Sequence, residues 1–176
     1  MIKLTINGKA IEIEEGATIM EAAAGAGIKI PSLCHLKGVH TYGSCRICVV
    51  EVEGMKNLQA SCIVKAREGM VVHTNSPKVR AARKVLYELL LSDHPKDCLS
   101  CGRNQNCELQ ELGYELGVTE SRLEGERSQC SVDISPSLTR ATSQCILCRR
   151  CVTVCNEIQH EGAIQEQNRG FEQVIS

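Results

Sequence analysis

Sulfur dominates the chemistry open to this chain. Twelve cysteines stand among 176 residues, and eleven of them fall into three spaced groups. The opening MIKLTING has no basic segment leading into an apolar one, so export is not indicated. A cytoplasmic location is expected, and a reducing cytoplasm disfavours structural disulfides. Metal ligation is the collective explanation that remains. Cys34, Cys45, Cys48 and Cys62 follow the spacing C-x10-C-x2-C-x13-C. Two cysteines enclosing two residues can reach one metal centre, and two more can arrive from flanking loops. Four thiolates are the ligand set of a 2Fe-2S cluster, two for each iron, and also of a structural zinc ion. Gly38 and Gly43-Ser44 lie between the first and second cysteines. Glycines there let the backbone wrap closely and aim N–H groups at sulfur, which helps to set a reduction potential. A Rieske centre requires two histidine ligands. His35 and His40 would leave the four cysteines unexplained, and both read as loop residues.

A second group, His94, Cys98, Cys101 and Cys107, follows H-x3-C-x2-C-x5-C. A lone histidine is seldom a ligand. Here it stands at a helix end beside Pro95, close to three cysteines that lack a fourth partner. Three cysteines and one histidine also suit zinc, so the spacing leaves both metals open. Cys145, Cys148, Cys151 and Cys155 form the third group, C-x2-C-x2-C-x3-C. This is the run of bacterial ferredoxins, in which three cysteines bind three corners of a cubane and the fourth usually ligates another cluster. Asn156 stands where a proline is usual, and no second cysteine run precedes Ser176. Three completions of this site stay open. The chain is a fragment of a longer polypeptide, or Cys155 closes the cluster locally, or a distant residue does so, either Cys130 or one from a partner subunit. Cys130 fits none of the spacings and reads as an incidental thiol.

Composition narrows the function further. The formal charge is −1, which argues against nucleic acid as the main partner. No run of about 18 apolar residues is present, so no membrane span is expected. With one Phe, three Tyr and no Trp, a core must come from Ile, Leu, Val and Ala. Bound metal is one way to stabilise so light a core. No nucleophile–base pair or dinucleotide fingerprint stands out, and Gly25-Ala26-Gly27 reads as a turn rather than a phosphate cradle. No catalytic centre is therefore expected in this chain.

The elements that must position the cysteines can be read locally. Ile2, Leu4 and Ile6 alternate with polar residues before Asn7-Gly8, and Ile11 and Ile13 alternate after it, a hairpin signal. Thr18 and Glu21 have capping-box spacing ahead of a helix that Gly25 and Gly27 should stop. This β-β-α order predicts a small mixed sheet with a helix across it. Residues 47–52 and 70–73 read as strands. Residues 77–92 read as a helix capped by Ser76, with Val79, Ala82, Leu86, Leu89 and Leu90 on the apolar stripe. Lys78, Arg80, Arg83 and Lys84 are expected on a solvated face. Asp93-His94-Pro95 ends that helix. Residues 105–116 suggest another, and the Ser-, Glu- and Arg-rich stretch 120–143 looks like connector.

The segments TINGK, IPSLCHLKG, GSCRICVVEVEG and NLQASC resemble the N-terminal domain of iron–iron hydrogenases. They equally resemble the large iron–sulfur subunit of respiratory complex I and related formate dehydrogenases. DHPKDCLSCGRNQNCELQELGYELGV is similar to the 4Fe-4S segment of the same family, and CILCRRCVTVCNEIQHEGAI to the first half of its ferredoxin domain. The resemblance implies an α+β chain: a β-grasp, plant-ferredoxin-like 2Fe-2S domain over 1–76, then a 4Fe-4S domain over 77–119. A linker over 120–138 and a partial bacterial-ferredoxin-like 4Fe-4S module over 139–176 follow. It implies that His94 is an imidazole ligand and Cys98, Cys101 and Cys107 thiolate ligands. It further implies a hetero-oligomeric complex with a flavin-containing, NAD(P)H-oxidising iron–sulfur subunit on one side. On the other side stands a hydrogenase, formate dehydrogenase or related redox subunit. The wording VVEVEGMKNLQASC leans toward the hydrogenase branch, with an electron-bifurcating complex as the first expectation. The expected role is relay of single electrons. Two alternatives remain: the N-terminal part of a longer hydrogenase or formate dehydrogenase chain, and a structural zinc-binding interaction module.

Overall fold

Asn7 and Gly8 both take positive φ, 51° and 81°, and close a two-residue hairpin between β1 (Ile2–Ile6) and β2 (Lys9–Ile13). Positive φ at both central positions matches the right-handed twist of the flanking strands. The computed structural model describes residues 1–39, 41–125, 132–137 and 139–176. His40 and Cys130 lie outside the described residues. Contact density divides the chain into two units, Met1–His35 with Thr41–Leu86, and Leu36–His40 with Tyr87–Ser176.

In the first unit, α1 (Ile19–Gly25) follows the hairpin. Thr18 accepts a hydrogen bond from the Glu21 amide at 3.1 Å, and the Glu21 carboxylate accepts one from the Thr18 amide at 2.6 Å. The expected capping box is therefore formed. Three further strands, β3 (Val49–Val52), β4 (Gln59–Ala60) and β5 (Val71–His73), complete a sheet of order β2-β1-β5-β3-β4. β1 and β5 run parallel and the other pairs antiparallel. Leu4, Ile6, Val50, Val52 and Val72 meet Ile19, Ala22 and Ala23 of α1 in the core. Each fully buried aliphatic side chain there is worth about 1.5–3 kcal/mol of transfer free energy. Cys48 and Cys62 belong to this same core.

The helix α2 (Pro77–Asp93) is capped by the Ser76 hydroxyl, which accepts from the Val79 amide at 3.3 Å. Its inward row is Val79, Arg83 and Tyr87, each buried and four residues from the next. This corrects the sequence expectation for Arg83, which is 5% exposed rather than solvated. Its side chain is long enough to carry the guanidinium to backbone carbonyls, so the charge is buried together with hydrogen-bond partners. Leu89, expected on the apolar stripe, is exposed.

The second unit contains α3 (Glu108–Leu116), the hairpin β6 (Val132–Ile134) with β7 (Thr139–Ala141), α4 (Arg150–Thr153) and the pair β8 (Glu166–Gln167) with β9 (Val174–Ile175). The helix α3 ends on Gly117 at φ 63°, the left-handed conformation usual for a glycine stop. The β6–β7 pair lies within the connector-like stretch, where backbone pairing organises a short ribbon on which Val132 and Ile134 are exposed. Among the described residues no helix is long and apolar enough to cross a membrane.

Replacing Thr18 by Ala should cost about 1 kcal/mol, read as a lower urea midpoint for the first unit. Hydrogen bonds from the Thr18 amide and hydroxyl hold the Glu21 carboxyl below its usual range. A depressed pKa means stability that is present at neutral pH and lost as pH falls through that pKa. The difference between parent and Thr18→Ala should therefore shrink in acid.

Candidate metal centres

The loop between α1 and β3 delivers three cysteines, and the turn after β4 delivers the fourth. Cys34, Cys45, Cys48 and Cys62 are all buried. They are gathered as two pairs. Cys34 and Cys45 share a hydrogen bond, and the sulfurs of Cys48 and Cys62 stand 3.3 Å apart. The bond shared with Cys45 pulls the Cys34 thiol down to about 5, and that shared with Cys62 pulls Cys48 down to about 6. The same bonds, then burial, push Cys45 and Cys62 up. Four thiolates cannot be buried side by side without a counter-charge, and a metal centre is the counter-charge that removes this conflict. Two pairs of thiolates are also what a two-iron cluster requires.

Backbone donors surround these sulfurs. The Ser44 and Cys45 amides and the Ser44 hydroxyl reach Cys34, and the Leu33 and Ile47 amides reach Cys45. The Cys62 amide favours the Cys48 thiolate, while the Ser61 hydroxyl donates to the Cys48 carbonyl at 2.8 Å. Arg46 takes φ 58°, which lets the chain reverse between Cys45 and Cys48. Gly43, at φ +68°, packs where an added methyl would run into Ile63 Cδ1. Its glycine is thus needed for the left-handed conformation, while the exposed Ile63 side chain would have to shift to admit a methyl.

In the second unit, His94, Cys98, Cys101 and Cys107 line one cavity together with Arg103, Gln110 and Gln144. His94 sits just past the end of α2, and Cys107 is the residue preceding the first turn of α3. Burial holds the His94 imidazole below its ordinary pKa, which favours the neutral ring that metals bind. Its Nδ1 is buried with no hydrogen-bond partner among the described residues. A buried ring nitrogen without a hydrogen-bond partner, on a histidine that lines a cavity with three thiols, suits a metal ligand. Tyr87 braces the site. Its hydroxyl donates to the Leu109 carbonyl at 3.0 Å, and burial, then Cys107 and Cys98, raise its pKa to about 12.

In the third group Cys151 lies on α4 and Cys155 on the π-helical turn Val154–Ile158, while Cys145 and Cys148 precede α4. Cys155 is buried, Cys145 and Cys148 are half-buried, and Cys151 is exposed. One ion pair, Arg150 to both oxygens of Glu108 at 2.9 and 3.0 Å, joins this segment to the start of α3. Another joins Arg149 to Glu166. Among the described residues no three His, Cys, Asp or Glu donors converge on a single-ion position.

Residues 1–77 match the model of a 2Fe-2S iron–sulfur cluster binding domain. Residues 83–122 match that of the NADH-ubiquinone oxidoreductase-G iron–sulfur binding region. The NADP-reducing hydrogenase subunit HndD of Solidesulfovibrio fructosivorans is 47% identical over the whole of this chain, which covers 31% of that protein. An NADH-quinone oxidoreductase subunit from Rhizobium meliloti is 38% identical, with 21% of its length covered. A crystal structure of an NAD+-reducing NiFe-hydrogenase in the H2-reduced state superposes with a TM-score of 0.92 at 33% identity, over 99% of this chain and 74% of that one. This chain belongs to their family of iron–sulfur electron-transfer modules. The chain spans about a third or less of the curated relatives described above.

For this family member the signals missed in the sequence were those of supporting residues. Ser61 directly precedes Cys62, and Arg83 stands four residues from both Val79 and Tyr87. Counting that row, rather than grouping residues by charge, would have placed Arg83 inward. His73 pairs with Glu53 at 2.9 Å on the surface.

Gly43→Val forces a left-handed backbone on a branched residue, at a cost of about 1–2 kcal/mol, and drives its side chain into Ile63. It should lower the urea midpoint and reduce iron and acid-labile sulfide per chain relative to the parent.

Proposed function

We propose that this chain relays single electrons between a flavin-containing, NAD(P)H-oxidising subunit and a hydrogenase-type or related redox module. The observation that carries this reading is the pairing of four buried thiols in the first unit. In this reading Cys34 and Cys45 hold one iron of a 2Fe-2S cluster, and Cys48 and Cys62 hold the other. The strand order, with β1 parallel to β5, supports a β-grasp, plant-ferredoxin-like domain. His94, Cys98, Cys101 and Cys107 hold a 4Fe-4S cluster. Cys145, Cys148 and Cys151 supply three ligands of another, and the buried Cys155 is the proposed fourth. The higher identity to the hydrogenase subunit than to the quinone oxidoreductase one, 47% against 38%, favours a hydrogenase-type partner.

Bound clusters supply one-electron redox chemistry, one electron entering and one leaving with no bond made or broken. The protein's own residues do the rest. Thiol burial keeps water from the first centre. Amides of residues 33, 44, 45 and 47 offer hydrogen bonds to sulfur that favour the more negative, reduced state. In the second centre the neutral His94 ring replaces one thiolate and leaves that centre less negative, which raises its potential by charge.

The test is metal content. Anaerobically purified chain should hold about ten irons with matching sulfide, from one two-iron and two four-iron clusters, and show both EPR signal types on reduction. About six irons would overturn the third site as proposed and leave the first two. Zinc without sulfide would overturn the relay itself. In a redox titration, His94→Cys should keep its cluster and titrate at a lower potential than the parent. A higher potential for the variant would reverse the role given to His94.

A further inference from the structure

We propose that Arg83 is a positioning residue of the first centre. It clamps the turn that carries Cys48 and sets a fixed positive charge beside the buried sulfurs, which holds that centre's reduction potential up. The inference rests on the reading that Cys34, Cys45, Cys48 and Cys62 hold a 2Fe-2S cluster.

The clamp is visible in the hydrogen bonds. Arg83 Nε donates to the Ile47 carbonyl at 3.0 Å, and Nη2 donates to the Val49 carbonyl at 2.9 Å. The carbonyl between them, that of Cys48, accepts from the Ser61 amide at 3.2 Å and the Ser61 hydroxyl at 2.8 Å. Three successive carbonyls around one candidate ligand are thus held by donors remote in sequence. The negative ends of those peptide dipoles rest on donors and are not free to swing toward the sulfurs. The fork of a guanidinium spans the two outer carbonyls, a geometry that one ammonium group cannot reproduce.

The charge is the second part of the argument. Arg83 is 5% exposed, and among the described residues no carboxylate pairs with it. Buried charges are ordinarily paired. A guanidinium keeps its proton, so it cannot relieve the mismatch by becoming neutral. Burial disfavours that charge, and an ionised Cys48, whose two neighbouring carbonyls the guanidinium holds, favours it. Ionised thiolates and the centre they hold therefore supply the missing counter-charge. Adding an electron makes that centre more negative, so a fixed cation nearby stabilises the reduced form more than the oxidised one.

The test uses the full chain, purified anaerobically, with an EPR-monitored redox titration of the 2Fe-2S signal and the rate of iron release to a chelator. Arg83→Met removes charge and fork. Its reduction equilibrium should move at least about tenfold toward the oxidised form, about 59 mV for a one-electron couple. Arg83→Lys keeps the charge and loses the fork. It should release iron faster than the parent while its potential stays nearer to the parent's than that of Arg83→Met. If Arg83→Met does not assemble its cluster, Arg83→Gln, neutral but with a donor retained, carries the potential measurement. A neutral variant with the parent's potential overturns the charge role, and Arg83→Lys releasing iron no faster than the parent overturns the clamp. Absence of a 2Fe-2S signal in the parent would instead sink the ligand assignment beneath both.

Discussion

Thiols packed against one another in a protein interior face a conflict between burial and ionisation, and the first unit is organised around that conflict. Cys48 and Cys62 are core residues in the same sense as Val50 and Val72, fully enclosed and in contact with the sheet. They are also candidate ligands, and a ligand must give up its proton. Metal binding and folding are then linked, because the sulfurs that fill the core are those that would bind. A core with so few aromatic residues leaves little apolar area to compensate for thiols left without metal.

The second unit meets the same constraint with less burial. Cys98 is exposed, and Cys101 and Cys107 are half-buried. The scaffold around them is held by a few specific contacts, including the buried Tyr87–Leu109 hydrogen bond. The Glu88 carboxylate on α2 accepts two hydrogen bonds from Arg122, at 2.8 and 2.9 Å, which tie the segment after α3 back to the helix. Glu88 is buried and Arg122 largely exposed, so this pair serves to satisfy a buried acid as much as to add stability.

A local pattern recurs at all three groups. The sulfurs of Cys45, Cys101 and Cys145 each accept from the amide two residues further on, those of Ile47, Arg103 and Leu147. At the first and third groups a residue with positive φ lies between cysteines three positions apart, Arg46 at 58° and Leu147 at 53°. The backbone at these positions is shaped to present N–H groups to sulfur. That arrangement lowers the cost of reorganisation when charge changes at the centre.

Much of the framework was legible in the residues, because its causes are local. Asn7-Gly8 determined a hairpin through backbone dihedrals, Thr18 and Glu21 determined a helix start through hydrogen bonds three residues apart, and cysteine spacing picked out the candidate ligands. The tertiary structure decided which groups those elements meet. It turned Arg83 from an expected solvated face into the core, paired Cys34 with Cys45 and Cys48 with Cys62, and placed Ser61 on the carbonyl of Cys48. Such choices depend on contacts between residues 11 to 36 positions apart. Charge and hydropathy report a residue's own preference for water, whereas burial of Arg83 depends on carbonyls that only the folded chain brings within its reach.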